Sequence, residues 1–246
     1  MMLAAVALLA ACSKDKDKDD SAKGYDVYVA GYENVGGTMV AKLWKDGMVQ
    51  ELSVGTAHSY AFSVFVSGAD VYVAGYESNG SKNVAKLWKN GMAQELTNGA
   101  NTAYINSVYV SGADVYVAGY EENGGKLVAK LWKNGTAQNL SDGTNSEYTS
   151  SVYVTGADVY VAGYEYNGSN FVAKLWKNGT EQVLTDGTSS VYATSLHVAG
   201  GDVYVAGYEY VGGNGAVRLW KNGTVQNLTD GTNDAIASSV FVAPRN

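Results

Sequence analysis

The chain has 246 residues and a formal net charge of −7, with 30 Gly and 19 Tyr against one Pro, one Cys and two His. An acidic surface repels phosphate backbones, so nucleic acid is not an expected partner. A single Cys excludes a disulfide framework. No apolar run extends beyond Met1–Cys12, so no transmembrane helix is expected.

The first element is Met1–Cys12, MMLAAVALLAAC. Its apolar stretch Leu3–Ala11 is too short to span a bilayer and has the length of a signal-peptide core. Leu9-Ala10-Ala11-Cys12 resembles the lipobox of bacterial lipoproteins, in which small residues precede a cleavable Cys. The basic n-region such peptides carry is missing. The resemblance implies that 1–11 is removed as a signal peptide and that Cys12 is acylated. The partner at this end is then a membrane, held through an N-terminal lipid. Ser13–Lys23 has no apolar residue except Ala22, so 12–23 reads as the lipidated Cys and a solvated, charged tether. Similar acidic stretches follow the lipidated Cys of surface-exposed bacterial lipoproteins. That implies an outer-membrane location facing the exterior; a plain spacer facing the periplasm is the alternative.

Residues 24–246 form one repeating domain. DVYVAGYE begins at Asp26, Asp70, Asp114, Asp158 and Asp202, a constant step of 44 residues. Trp44, Trp88, Trp132, Trp176 and Trp220 keep the same step, as do Ser63, Ser107, Ser151, Ser195 and Ser239. Within one unit, four segments rich in β-branched and aromatic residues predict strands: A over Ser107–Val110, B over Asp114–Glu121, C over Val128–Lys133 and D over Thr136–Leu140. Asn134-Gly135 between C and D is the type I′ hairpin pair, because both positions require positive φ.

An even A–B register places Tyr109 beside Tyr116, and Val108 and Val110 beside Val117 and Val115; an odd slip would turn every side chain over. Both faces of such a sheet are apolar, one read as Val- and Leu-rich and the other as Tyr- and Trp-rich. A sheet with two apolar faces needs a neighbour on each side, which copies stacked around an axis provide. The expected fold is therefore all-β: a five-bladed β-propeller with four antiparallel strands per blade. The first unit opens at strand B, and Ser239–Val242 is a strand A with no B after it. Pairing of Ser239–Val242 into the first blade is expected to close the ring in a monomer. The four-strand units resemble those of WD-type and lectin-type propellers, and more closely bacterial lipoproteins carrying near-identical propeller repeats. The resemblance implies architecture and supplies no function.

Strands A, B and C hardly change between copies, whereas the B–C and D–A loops differ, and strand alternation puts those loops on one face. Variation over a fixed scaffold fits a recognition face, and equally fits unconstrained loops. Repeating residues on that face are Glu33, Glu77, Glu121, Glu165 and Glu209 at the end of strand B, with Tyr60, Tyr104, Tyr148 and Tyr192 just before strand A. Asn101 and Asn145 lie nearby, as do Asp186 and Asp230. An aromatic plate beside carboxylates and amides suits a sugar, and several weak sites gain avidity for a repeating glycan. The competing readings are Tyr as a wedge between blades and Glu paired across the sheet with Lys42, Lys86, Lys130, Lys174 or Arg218.

No nucleophile elbow, P-loop or HExxH is present, and His58 and His197 are not equivalent positions. Asp142–Glu147 is oxygen-rich without the spacing of a calcium loop, so turn formation accounts for it. No cofactor, metal or catalytic residue is expected. The chain reads as a non-catalytic surface module recognising a glycan or an envelope protein. A scaffold lipoprotein without a small ligand is the alternative, and a glycoside-acting enzyme the third.

Overall fold

The computed structural model describes residues 24–245, so the signal peptide, Cys12 and the tether lie outside the described residues. The chain forms five antiparallel sheets in sequence order. The first holds β1 (Tyr28–Val35), β2 (Thr38–Lys45) and β3 (Met48–Glu51). The second holds β4 (Ser59–Ser67), β5 (Asp70–Ser78), β6 (Asn83–Lys89) and β7 (Met92–Glu95). The third holds β8 (Ala103–Ser111), β9 (Asp114–Asn123), β10 (Lys126–Lys133) and β11 (Thr136–Asn139). The fourth holds β12 (Ser146–Thr155), β13 (Asp158–Tyr166), β14 (Phe171–Lys177) and β15 (Thr180–Val183). The fifth holds β16 (Val191–Ala199), β17 (Asp202–Val211), β18 (Asn214–Lys221) and β19 (Thr224–Asn227).

The outer hairpin forms as its sequence dictates. Asn134 (φ 51°) and Gly135 (φ 82°) both take positive φ. The Asn134 side chain accepts from Val115 N–H and donates to Asp114 Oδ1, each at 2.8 Å, while Lys133 Nζ pairs with Asp114 Oδ2 at 2.7 Å. One network thus ties the Asp opening each repeat to the turn two strands away.

Strand A is longer than expected. β8 begins at Ala103, four residues ahead of the expected Ser107, because a bulge between Ile105 and Ser107 lets pairing continue. Tyr104 therefore lies within a strand, opposite Tyr120. The bulge drives the backbones together: a Cβ on Gly119 would stand 2.1 Å from the Tyr104 carbonyl oxygen. This close approach is what the Gly of DVYVAGYE serves.

The expected register holds, with Tyr109 opposite Tyr116 and Val108 opposite Val117. The division of faces differs. Val117 lies opposite Trp132 and Ala118 opposite Leu131, so one face is Val/Trp and the other Tyr/Ala/Leu. The two kinds of face meet between sheets. Tyr116, Ala118, Ala129, Leu131 and Leu140 of the third sheet pack on Val152, Val154, Val161 and Trp176 of the fourth. Trp132 Nε1 also donates to the Leu96 carbonyl of the preceding sheet at 3.1 Å.

The closing pair is not formed. Ser239–Val242 carries no strand pairing, and the first sheet has three strands. The segment instead continues the stacking of its predecessors. Val240 N–H donates to Ser195 Oγ at 3.2 Å, as Val152 N–H does to Ser107 Oγ. Phe65, Tyr109, Tyr153, His197 and Phe241 form an inner ladder with centroids 4.8–4.9 Å apart. Contact with β16 holds the segment in the place of a next inner strand, and this repeated step does not carry it back to β1. The ends of the arc are correspondingly open. Val29 is 52% exposed where Val73, Val117, Val161 and Val205 are each 1% exposed, and Leu228 is 51% exposed where Leu140 is 7%.

Candidate functional site

The B–C and D–A loops share one face, and side chains stitch them together. Asn79 Nδ2 donates to the Gly99 carbonyl at 3.1 Å, and Asn170 Nδ2 to the Gly187 carbonyl at 3.0 Å. Three D–A loops are shaped by an Asx turn: Thr144, Thr188 and Thr232 N–H donate to Asp142, Asp186 and Asp230 at 2.8, 3.0 and 2.9 Å. Asp186 and Asp230 are thus turn formers.

The tyrosines form a continuous belt. Tyr32, Tyr60, Tyr76, Tyr104, Tyr120, Tyr148, Tyr164, Tyr192 and Tyr208 follow one another with centroids 4.8–5.2 Å apart. Tyr60, Tyr104, Tyr148 and Tyr192 are each wedged between a Tyr of their own sheet and one of the preceding sheet. Burial pushes the Tyr76 and Tyr164 hydroxyls up to about 12 and raises Tyr120 further. The ring faces are spent on packing, which is the wedge reading.

The carboxylates that end strand B are paired across the sheet. Lys86 Nζ meets Glu77 at 2.9 Å, Lys130 meets Glu121 at 2.5 Å and Arg218 Nε meets Glu209 at 2.8 Å; Lys42–Glu33 and Lys174–Glu165 are equivalent. Asn145 Nδ2 donates to Glu165, whereas Asn101, at the same repeat position, is exposed with no such bond. The structure thus joins Asn145 to Glu165 and leaves the tyrosines in a separate layer.

Two of these pairs, Lys174–Glu165 and Arg218–Glu209, line clefts between neighbouring sheets. The cleft between the fourth and fifth sheets, about 260 Å³, is lined by Asp186, Ser189, Val191, Glu209 and Arg218 among others. The cleft between the third and fourth, about 380 Å³, is lined by Asp142, Asn145, Glu147, Glu165, Lys174 and Glu181 with Ser141 and Thr144. Lys174 Nζ here meets three carboxylates: Glu165, Glu181 at 2.9 Å and Glu147 at 3.2 Å. Glu147 is only 5% exposed, and burial, partly countered by Lys174, raises its carboxyl to about 7. Sequence reasoning did not single out Glu147 as a site residue. Its signal was present, because Ser59, Ala103, Val191 and Ala235 stand at the same repeat position. Elsewhere on this face, His58 Nδ1 accepts from Met39 N–H at 3.1 Å, and His197 belongs to the inner ladder.

Among the described residues no group of His, Cys, Asp and Glu is arranged to hold a metal ion, and no helix is long and apolar enough to cross a membrane.

No protein-family pattern matches this chain, and no curated protein matches it in sequence. Solved structures do resemble it. TolB from Acinetobacter baumannii superposes with a TM-score of 0.54 at 13% identity, over 85% of this chain and 56% of that one. A putative TolB from Agrobacterium tumefaciens gives 0.49 at 13% identity, over 85% and 84% of the two chains. A Bombyx mori β-fructofuranosidase gives 0.38 at 13% identity, over 76% and 57%. This chain spans a little over half the length of the Acinetobacter protein. At such identities the likeness to that TolB is one of fold, a β-propeller-type succession of antiparallel sheets, here one of three strands and four of four.

Proposed function

We propose that this protein is a non-catalytic binding module that presents a row of polar inter-blade clefts to a glycan, anchored to a bacterial envelope through Cys12. The observation that carries this reading is the repeated cleft. The clefts between the third and fourth and between the fourth and fifth sheets are each built on strands, hold a carboxylate paired with Lys or Arg, and are bordered by loops that vary from copy to copy. Carboxylate, amide and hydroxyl groups fixed in this way exchange hydrogen bonds with sugar hydroxyls. More than one such cleft on one face favours a repeating ligand by avidity.

The paired carboxylates argue against hydrolysis. Glycoside cleavage needs one free acid and one free base, and each Glu that ends strand B is held by a cation. Residues 24–246 on a glycan array test the reading. Saturable binding that weakens at least tenfold in a Glu121→Gln/Asn145→Ala variant is the expected result. Binding unchanged by both substitutions refutes the clefts as the site. Absence of binding with co-purification of an envelope protein favours the scaffold alternative.

A further inference from the structure

Glu147 and Thr149 break the template of an otherwise near-identical repeat. Position 147 is Ser59, Ala103 and Val191 in the neighbouring copies, and position 149 is Ala61, Ile105 and Ala193. All six of these counterparts are buried. Small or apolar side chains therefore satisfy the packing, and a carboxyl group there costs desolvation that packing does not require. Ser59 resolves its polarity by accepting from Ala41 N–H at 2.8 Å. Glu147 does not: its Oε1 meets Lys174, but Oε2 has no hydrogen-bond partner, nor does the Thr149 hydroxyl. Glu147 is 5% exposed and lines the 380 Å³ cleft.

The charge balance singles out the same cleft. Asp142, Glu147, Glu165 and Glu181 face one cation, Lys174, whereas the next cleft sets Asp186 and Glu209 against Arg218. The surplus is of hydrogen-bond acceptors with negative charge. A neutral sugar offers hydroxyl donors but no counter-charge; a bare diamine offers charge but no hydroxyl for Ser141, Thr144 and Asn145 at the cleft wall. A primary ammonium flanked by hydroxyls answers both.

We infer that the cleft between the third and fourth sheets binds an amino sugar through its free ammonium group, with Glu147, Glu165 and Glu181 taking the N–H donors and Ser141, Thr144 and Asn145 the adjacent hydroxyls. This rests on the glycan-binding reading above and names the ligand class for one of its clefts.

Calorimetric titration of residues 24–246 with glucosamine, N-acetylglucosamine and putrescine tests it. Glucosamine is expected to bind at one site per chain. Acetylation removes the charge and should weaken binding at least tenfold, and putrescine should bind at least tenfold more weakly for want of hydroxyls. Glu147→Ala installs the residue found at Ala103 and Ala235, and Glu147→Gln keeps the shape. Both should lower glucosamine affinity at least tenfold while leaving the circular dichroism spectrum unchanged. Equal affinity for glucosamine and N-acetylglucosamine, equal affinity for putrescine, or full glucosamine binding by both variants overturns the inference. Neutral glycans that bind while glucosamine does not would overturn it while leaving the multi-cleft reading intact. Loss of the neutral glycans alone would do the reverse.

Discussion

Truncating one repeated valine in two places measures how the arc ends. Val117 is 1% exposed and sits between Trp132 of its own sheet and the preceding sheet; Val29 is its counterpart in β1 and is 52% exposed. Val→Ala removes two methyl groups. At about 0.8 kcal/mol each, plus a cavity contribution, Val117→Ala should cost about 2–3 kcal/mol. Half of the Val29 side chain already meets water, and its surroundings can relax, so Val29→Ala should cost under about 1 kcal/mol. Urea unfolding followed by Trp fluorescence reads both, with Val73→Ala and Val161→Ala as buried controls. The comparison relies on differences between matched variants, which withstand the loss of strict two-state behaviour in repeat arrays better than absolute stabilities do. Equal costs for Val29→Ala and Val117→Ala would refute the open arc and put a covering strand over β1.

Other consequences are equally direct. A Cβ on Gly163 would lie 1.9 Å from the Tyr148 carbonyl oxygen, so Gly163→Ala should destabilise by about 1–3 kcal/mol or more, whereas Gly31→Ala meets only the edge of Trp44 at 3.1 Å and should be near neutral in the same assay. Glu147 takes up its proton more readily folded (about 7) than unfolded (4.5), so the native state holds more protons in between and stability falls as pH rises through that window. Asp142, Glu165, Glu181 and Lys174 face this group. Thermal melts at pH 5 and pH 8 should show Glu147→Gln removing a pH-dependent loss of up to about 3 kcal/mol; an unchanged slope would contradict a buried, protonatable Glu147.

Much of the blade was legible because its rules are local. Asn-Gly pairs fix the C–D turn, and alternation with an even A–B loop fixes Tyr109 against Tyr116. The bulge was not legible. It leaves no mark in the alternation of strand A, and its one trace is a Gly in the strand opposite, whose role appears only when the distance to Tyr104 is measured. The true division of faces escaped for a related reason. It depends on the B–C register, which sets Val117 against Trp132, and the variable B–C loops do not announce it. The Glu residues were found, but their Lys and Arg partners were one of two readings that spacing alone could not separate. The tyrosines were found and placed on a loop, because the bulge that carries strand A past them was invisible.

The four buried inter-sheet interfaces all join a Tyr/Ala/Leu face to a Val/Trp face. The faces left at the ends of the arc, Val29 with Trp44 and Leu219 with Leu228, are therefore the two halves of that same interface. Holding one interface constant in every copy restricts what each sheet can change: buried positions must repeat, and variation is driven to the loops. Glu147 and Thr149 violate this rule together, two residues apart on one strand, each with a polar atom left without a partner. Ser59 shows that a polar group at this position can be satisfied within the repeat. A departure from the template that adds unsatisfied polarity weakens the blade, and such departures are expected where function rather than packing has set the residue. That is the physical reason for looking to the third inter-blade cleft, and not to the fivefold pattern, for the specificity of this protein.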